Sequence, residues 1–137
     1  MSKAWLMDKS ALVRIPKSPD RELWLRRITS GLVRVTTVTL LELGFSTRSG
    51  STWAQEMLNP PISELPVENL SAQAEKRAVE VQGMLAQRGY HRAAGVADLL
   101  IAATAELDNL TVLHLDRDFE LIAGVTGQAH ERLRGDF

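Results

Sequence analysis

The chain alternates short apolar, β-branched runs with segments of helical periodicity along its whole length. Runs typical of buried strands occupy residues 4–7, 32–36, 62–67 and 111–115, with an edge strand predicted near 129–133. Helical patterns lie between them, the clearest at residues 71–88 and 96–107, and Thr37 or Thr39 is expected to cap a helix that runs to Phe45. Strands that alternate with helices form parallel sheets covered on both faces, so we expect one α/β domain spanning residues 1–137.

Composition excludes several classes of protein. The sequence contains no cysteine, which rules out disulfides and thiolate metal sites. Charged residues precede any apolar stretch that could serve as a signal-peptide core, and no run approaches the roughly 18 apolar residues of a membrane span. We therefore expect a cytoplasmic protein without a membrane partner.

The net charge of −1 conceals an asymmetry between the two parts of the chain. Residues 1–53 carry nine Lys or Arg against four Asp or Glu, whereas residues 54–137 carry seven against thirteen. The basic part is suited to a polyanion, although two ordinary solvated surfaces would give the same count.

Four carboxylates stand out by their positions. Asp8 and Asp116 each follow a predicted strand, where the carboxyl ends of parallel strands form sites, although either could simply cap the next helix. Asp98 opens a helix with unusually apolar flanks. Glu42 lies within an apolar helix where no cap requires it, which leaves a site role or a buried salt bridge to an arginine.

These acids are also the chain's most plausible source of chemistry. His91, His114 and His130 lack the spacing of zinc ligands, and no nucleophile elbow or phosphate-cradling glycine motif is present. Carboxylates gathered in one cleft repel one another, and a divalent cation removes that conflict. Oxygen ligands suit Mg²⁺, with Mn²⁺ as a substitute, and such sites support phosphodiester cleavage.

Four stretches, residues 6–11, 36–43, 97–105 and 115–119, together resemble the PIN-domain ribonucleases, specifically the VapC-type toxins of bacterial toxin–antitoxin pairs. The resemblance implies a three-layer PIN-like fold with a central parallel sheet of four to five strands flanked by helices. It implies that Asp8, Glu42, Asp98 and Asp116 form the catalytic cluster. It further implies Mg²⁺ ligation by Asp8, Asp98 and Asp116, with Asp118 as an accessory ligand.

The same resemblance implies a magnesium-dependent endoribonuclease that acts on tRNA or rRNA. Ser10 matches a hydroxyl position that orients the first acid, and we group it with Arg92 and Arg117 as expected substrate-binding residues. The chain departs from the family pattern at Lys9, where a small hydroxyl residue is common, and at His114. Both departures affect hydrogen bonding around the metal ligands.

Family resemblance also implies partners, namely a cognate VapB-like antitoxin that covers the cleft and a second copy in a homodimer. The apolar segments 40–45 and 52–58 are the expected dimer interfaces. Two alternatives remain: a catalytically silent PIN-like module that docks a protein through the same cleft, and a receiver-like signalling domain. A receiver domain requires adjacent acids after the first strand and an aspartate after a middle strand, whereas Lys9 and Ser10 follow Asp8 and no aspartate follows a middle strand.

Overall fold

The computed structural model describes residues 3–137, whose centre is a five-stranded sheet. The strands are β1 (Trp5–Met7), β2 (Val33–Thr36), β3 (Val67–Glu68), β4 (Thr111–His114) and β5 (His130–Arg132). Their order is β3-β2-β1-β4-β5, and every neighbouring pair is parallel. The predicted α/β architecture with a parallel sheet of four to five strands is confirmed.

Within residues 3–137, seven α-helices connect and cover the strands. They are α1 (Lys9–Leu12), α2 (Arg21–Thr29), α3 (Thr37–Phe45), α4 (Gly50–Met57), α5 (Ala72–Gln87), α6 (Val96–Leu107) and α7 (Arg117–Thr126), with 3₁₀ turns at Ile15–Lys17 and Ile62–Glu64. None of the helices within residues 3–137 combines the length and apolar character that crossing a bilayer requires.

Side chains alternate across the sheet and build a core on each face. Leu6 and Val112 pack with α5, α6 and α7, whereas Met7 and Leu113 on the same two strands pack with α1 and α2. All four side chains are almost fully buried. Because these central strands are buried on both faces, residues 4–7 are apolar and residues 111–115 are mainly apolar, without a regular polar alternation.

The segment 62–67 was predicted as one strand, and that prediction is wrong for most of its length. Residues Ile62–Glu64 form a 3₁₀ turn, and the strand begins only at Val67. Pro66 precedes it and has no N–H to donate, although its carbonyl accepts the N–H of Val35. Only a two-residue strand therefore joins this edge of the sheet.

Candidate metal centre

Asp8 follows β1 at the carboxyl edge of the sheet and is 4% exposed. Its Oδ2 accepts the backbone N–H of Ser10 at 3.0 Å and the Ser10 hydroxyl at 2.6 Å. The same hydroxyl accepts the N–H of Leu115 at 2.9 Å. Asp8 therefore caps α1, as one of the two roles considered for it from the sequence. The hydroxyl of Ser10 links the Asp8 carboxylate to the end of β4.

Asp116 lies on the neighbouring strand's carboxyl side and caps α7. Its Oδ1 accepts the N–H of Asp118 at 2.9 Å, which directs Asp118 into the first turn of the helix. The carboxylate of Asp118 in turn accepts the N–H of Gly95 at 3.4 Å, just before α6. Asp8 and Asp116 each use one carboxylate oxygen to cap a helix. The other oxygen of each carboxylate accepts no hydrogen bond from residues 3–137.

Asp98, in the first turn of α6, meets the acids that follow β4. Asp98, Asp116 and Asp118 each offer a carboxylate oxygen, and these three oxygens lie within 4.8 Å of one another. Burial raises the pKa of Asp98 to about 8, and its interaction with Asp118 and the charges of Asp116 and Asp8 act in the same direction. Without a cation, this site therefore favours a protonated Asp98 at neutral pH.

Glu42 enters from α3 and has an oxygen without a partner. Its Oε1 is buried and makes no hydrogen bond to any residue in the described chain. Burial raises the pKa of Glu42 and the charge of Asp8 raises it further, while Lys9 opposes the shift. The salt bridge considered for Glu42 does not form among residues 3–137.

A pocket of about 250 Å³ brings most of these groups together. Its lining consists of four acids, two cations, a serine and a valine: Asp8, Glu42, Asp98, Asp116, Lys9, Arg14, Ser10 and Val13. Asp118 lies beside Asp98 and Asp116 without lining this pocket, and the predicted substrate contacts Arg92 and Arg117 are exposed outside it. Sequence reasoning did not assign Lys9 or Arg14 to the site, although both follow Asp8 within one short segment.

His114, which departs from the family pattern, contacts the backbone of Asp116. The imidazole is fully buried, accepts the N–H of Asp116 on Nδ1 at 3.2 Å and meets Nδ1 of His130 through Nε2 at 3.0 Å. Burial, with the neighbouring His130 acting in the same direction, lowers the pKa of His114 to about 4. A neutral His114 therefore accepts the backbone N–H of Asp116 and fixes the position of that residue.

The donor set fits a hard divalent cation. Every acid that converges here offers oxygen, and the buried Oε1 of Glu42 lacks a donor. The pKa of Asp98 is raised first by burial and then by the neighbouring acids, and a positive charge here would offset both effects. Among residues 3–137 no imidazole lines the pocket, so its lining offers oxygen ligands and not the histidines of a zinc site.

Comparison with known proteins agrees with this architecture. The sequence profile of the PIN domain family matches residues 6–125. The chain is 57% identical to Ribonuclease VapC2 of Mycobacterium tuberculosis over 94% of this chain and 92% of that protein, and 37% identical to Ribonuclease VapC51 over 93% and 91%.

Solved structures share the fold at lower identity. The VapBC2 structure from Rickettsia felis, bound to a DNA fragment from its promoter, superposes with a TM-score of 0.76 at 21% identity, covering 96% of this chain and 99% of that one. DNA-bound VapBC from Salmonella typhimurium gives a TM-score of 0.75 at 22% identity, covering 96% and 98%. With its parallel sheet, its carboxylate pocket and its extended identity to VapC proteins, this chain belongs to the PIN-domain family, in its VapC group.

Proposed function

We propose that this chain is a magnesium-dependent endoribonuclease that acts as the toxin of a toxin–antitoxin pair, with residues 1–137 working as one domain. The observation that carries the proposal is the convergence of Asp98, Asp116 and Asp118, whose oxygens lie within 4.8 Å of one another. Asp8 and Glu42 line the same pocket as Asp98 and Asp116. The relatives' printed name, ribonuclease, supports RNA as the substrate.

Asp98, Asp116 and Asp118 are the proposed core of the magnesium site, and Asp8 contributes its free oxygen. A bound Mg²⁺ supplies a water of lowered pKa and stabilises the charge that develops on the phosphoryl oxygens. The hydroxyl of Ser10 holds Asp8 in one orientation. Glu42 presents an unpartnered Oε1, which is suited to accept a hydrogen bond or a proton from the attacking water.

The proposed RNA target is tRNA or rRNA, in a segment that is single-stranded. The acid-lined pocket is small, about 250 Å³, so an extended backbone fits its mouth better than a duplex does. The predicted phosphate contacts Arg92 and Arg117 remain part of this proposal, as exposed residues on the loop before α6 and at the start of α7.

We propose an antitoxin and a second copy of the chain as protein partners. Structural neighbours include a toxin–antitoxin complex from Klebsiella pneumoniae and VapBC-5 from Mycobacterium tuberculosis, described as a member of a family of toxin–antitoxin systems. An apolar groove of about 630 Å³ lies between α3 and α4. Leu41, Phe45 and Leu58 line it with 69%, 93% and 63% of their surface exposed. We assign this groove to protein contact within the assembly.

The test of activity is cleavage of purified RNA by the isolated chain with Mg²⁺, with Mn²⁺ and with EDTA. We expect cleavage with either ion, none in EDTA, and none for Asp8→Ala or Asp98→Ala although both variants keep the wild-type circular dichroism spectrum. Asp136→Ala, an exposed acid outside the pocket, is the matched control. Full activity in EDTA or in either pocket variant would contradict the mechanism, and partner binding without cleavage under every ion would favour the silent module.

The cleavage position requires a separate experiment. Sequencing RNA 5′ ends after brief expression in cells is expected to give one dominant site in a tRNA or rRNA. Ends scattered evenly over messenger RNA would contradict that target class.

A further inference from the structure

Two cations share the pocket with the acids, and neither is neutralised there. Lys9 and Arg14 both line the pocket with Asp8, Glu42 and Asp98. No ion pair joins either of them to an acid within residues 3–137. A lysine and an arginine beside several carboxylates would normally form ion pairs with them, and here both cations donate to other groups instead.

Each cation donates a hydrogen bond to a neutral acceptor and not to a carboxylate. The Lys9 ammonium donates to the hydroxyl of Ser46, the residue that follows α3. The Arg14 guanidinium donates to the backbone carbonyl of Ser10 at 3.1 Å, one turn back along the chain. Neutral acceptors leave the full positive charge of both groups available to an anionic ligand.

The backbone fixes where these cations stand relative to the metal ligands. Lys9 directly follows Asp8 at the start of α1, and Arg14 follows the same short helix. Asp8 is 4% exposed, whereas Arg14 is exposed and Lys9 is partly exposed. Asp8 therefore lies on the buried side of the pocket, and Arg14 lies at its exposed edge on the α1 side, with Lys9 between them in exposure.

We propose that Lys9 and Arg14 form a phosphate clamp, in which each binds a backbone phosphate of single-stranded RNA next to the bond that is cut. The inference rests on the proposed ribonuclease function and names substrate-binding residues of that site. A phosphodiester approaching the four carboxylates of the pocket is repelled unless cations meet its other oxygens, and among residues 3–137 Lys9 and Arg14 are the cations that line this pocket.

The test is RNA binding by the full chain as a function of salt. The probe is a fluorescent mixed-sequence RNA of about 12 nucleotides, with Ca²⁺ in place of Mg²⁺ so that the probe is not consumed. Each phosphate contact to a single strand contributes about −0.7 to the slope of log K against log[KCl]. We expect Lys9→Met and Arg14→Met each to reduce the slope by about 0.7, and the double variant by about 1.4.

The smaller salt slope of the variants can also be read as a change in affinity and in KM. Between about 50 and about 200 mM KCl, each single variant should lose roughly 2.6-fold less affinity than the wild type. In cleavage assays the double variant should raise KM by about tenfold with kcat nearly unchanged, because the contact is made in substrate and transition state alike. Lys9→Arg and Arg14→Lys should keep the wild-type slope.

Matched controls are Lys17→Met and Arg21→Met, exposed cations of the next segment that line other pockets. Both should keep the wild-type slope. Binding of Mn²⁺ to the double variant should equal or exceed the wild-type affinity, because a positive charge beside the acids has been removed. If the methionine variants do not fold, Lys9→Gln and Arg14→Gln replace them.

The outcomes separate this inference from the proposed function. A wild-type chain that neither binds nor cleaves RNA overturns the ribonuclease proposal itself. A wild-type chain that cleaves RNA, beside a folded double variant with an unchanged salt slope and KM, overturns the clamp alone. In that case the two cations act only on the charge of the acid cluster, and only the Mn²⁺ affinity should change.

Discussion

Replacing Ser10 by alanine tests how the first acid of the pocket is held. The Ser10 hydroxyl donates to Asp8 at 2.6 Å and accepts the N–H of Leu115 at 2.9 Å, so its removal breaks two hydrogen bonds. A hydrogen bond to a charged group contributes about 1.5–3 kcal/mol, and an N–H left without an acceptor costs about 1–3 kcal/mol. Ser10 is partly exposed, and water entry offsets part of the loss.

We therefore expect Ser10→Ala to lower the free energy of unfolding by about 2–3 kcal/mol. A chain of 137 residues has an unfolding entropy of about 0.29 kcal/mol/K, so Tm should fall by about 7–10 °C. Asp8 then keeps only the backbone N–H of Ser10 as a donor and is held less firmly, so affinity for Mn²⁺ should also fall by about tenfold to a hundredfold.

Urea unfolding in EDTA measures the first effect, and calorimetric titration with Mn²⁺ measures the second. Ser10→Thr keeps the hydroxyl and should recover most of both losses. Ser63→Ala, at an exposed serine, controls for the loss of any hydroxyl. If Ser10→Ala unfolds within about 0.5 kcal/mol of the wild type and binds Mn²⁺ equally well, the reasoning about this hydroxyl is wrong.

Two further predictions concern the cation site and the core. Because the pKa of Asp98 is raised to about 8, metal binding at pH 7 must displace its proton. Apparent Mn²⁺ affinity should therefore rise with pH up to about 8 and then level off. Calorimetry at pH 7 in buffers of different ionisation enthalpy should show close to one proton released per bound ion. If no proton is released, the raised pKa of Asp98 is contradicted. The guanidinium of Arg27 lies 4.4 Å from the ring centre of Trp5 and 4.5 Å from that of Trp24. Arg27→Met should cost about 1–2 kcal/mol in urea unfolding, whereas the exposed neighbour Arg26→Met should cost under about 0.5 kcal/mol, and equal values would refute the stacking account.

The central strands and the long helices were predictable because local pattern and tertiary role coincide there. The segment 96–107 carries a continuous helical pattern between Gly95 and Asp108, and α6 has those bounds. The runs that became β1 and β4 are buried on both faces and mainly apolar, because helices cover both faces. In these segments the pattern alone determines the element.

The sequence did not predict the capping residue of α3 correctly, because several neighbouring threonines could each cap the helix. Thr37 and Thr39 were expected as caps of α3, but Thr36 caps the helix through the N–H of Thr39. Adjacent threonines offer nearly equal caps, and the end of β2 decides which one is used. A tertiary constraint that the sequence does not display made the choice.

The acids of the site were predictable, and the cations were not. Asp8 and Asp116 follow strands that lie side by side, so the topology alone brings them together. Lys9 and Arg14 have long side chains whose direction depends on Ser46 and on the turn after α1. The neutral acceptors that position these cations could be identified only from the structure.

The most direct test of the proposed metal centre is anomalous scattering from Mn²⁺ in crystals of the wild-type chain. We expect a peak about 2.0–2.2 Å from carboxylate oxygens of Asp98 and Asp116, with Asp118 or Asp8 completing the protein ligands. The peak should be absent in Asp98→Asn crystals grown under the same conditions. A wild-type crystal with ordered carboxylates and no peak between them, or with Mn²⁺ bound elsewhere only, would contradict the claim that these acids form a divalent-cation site.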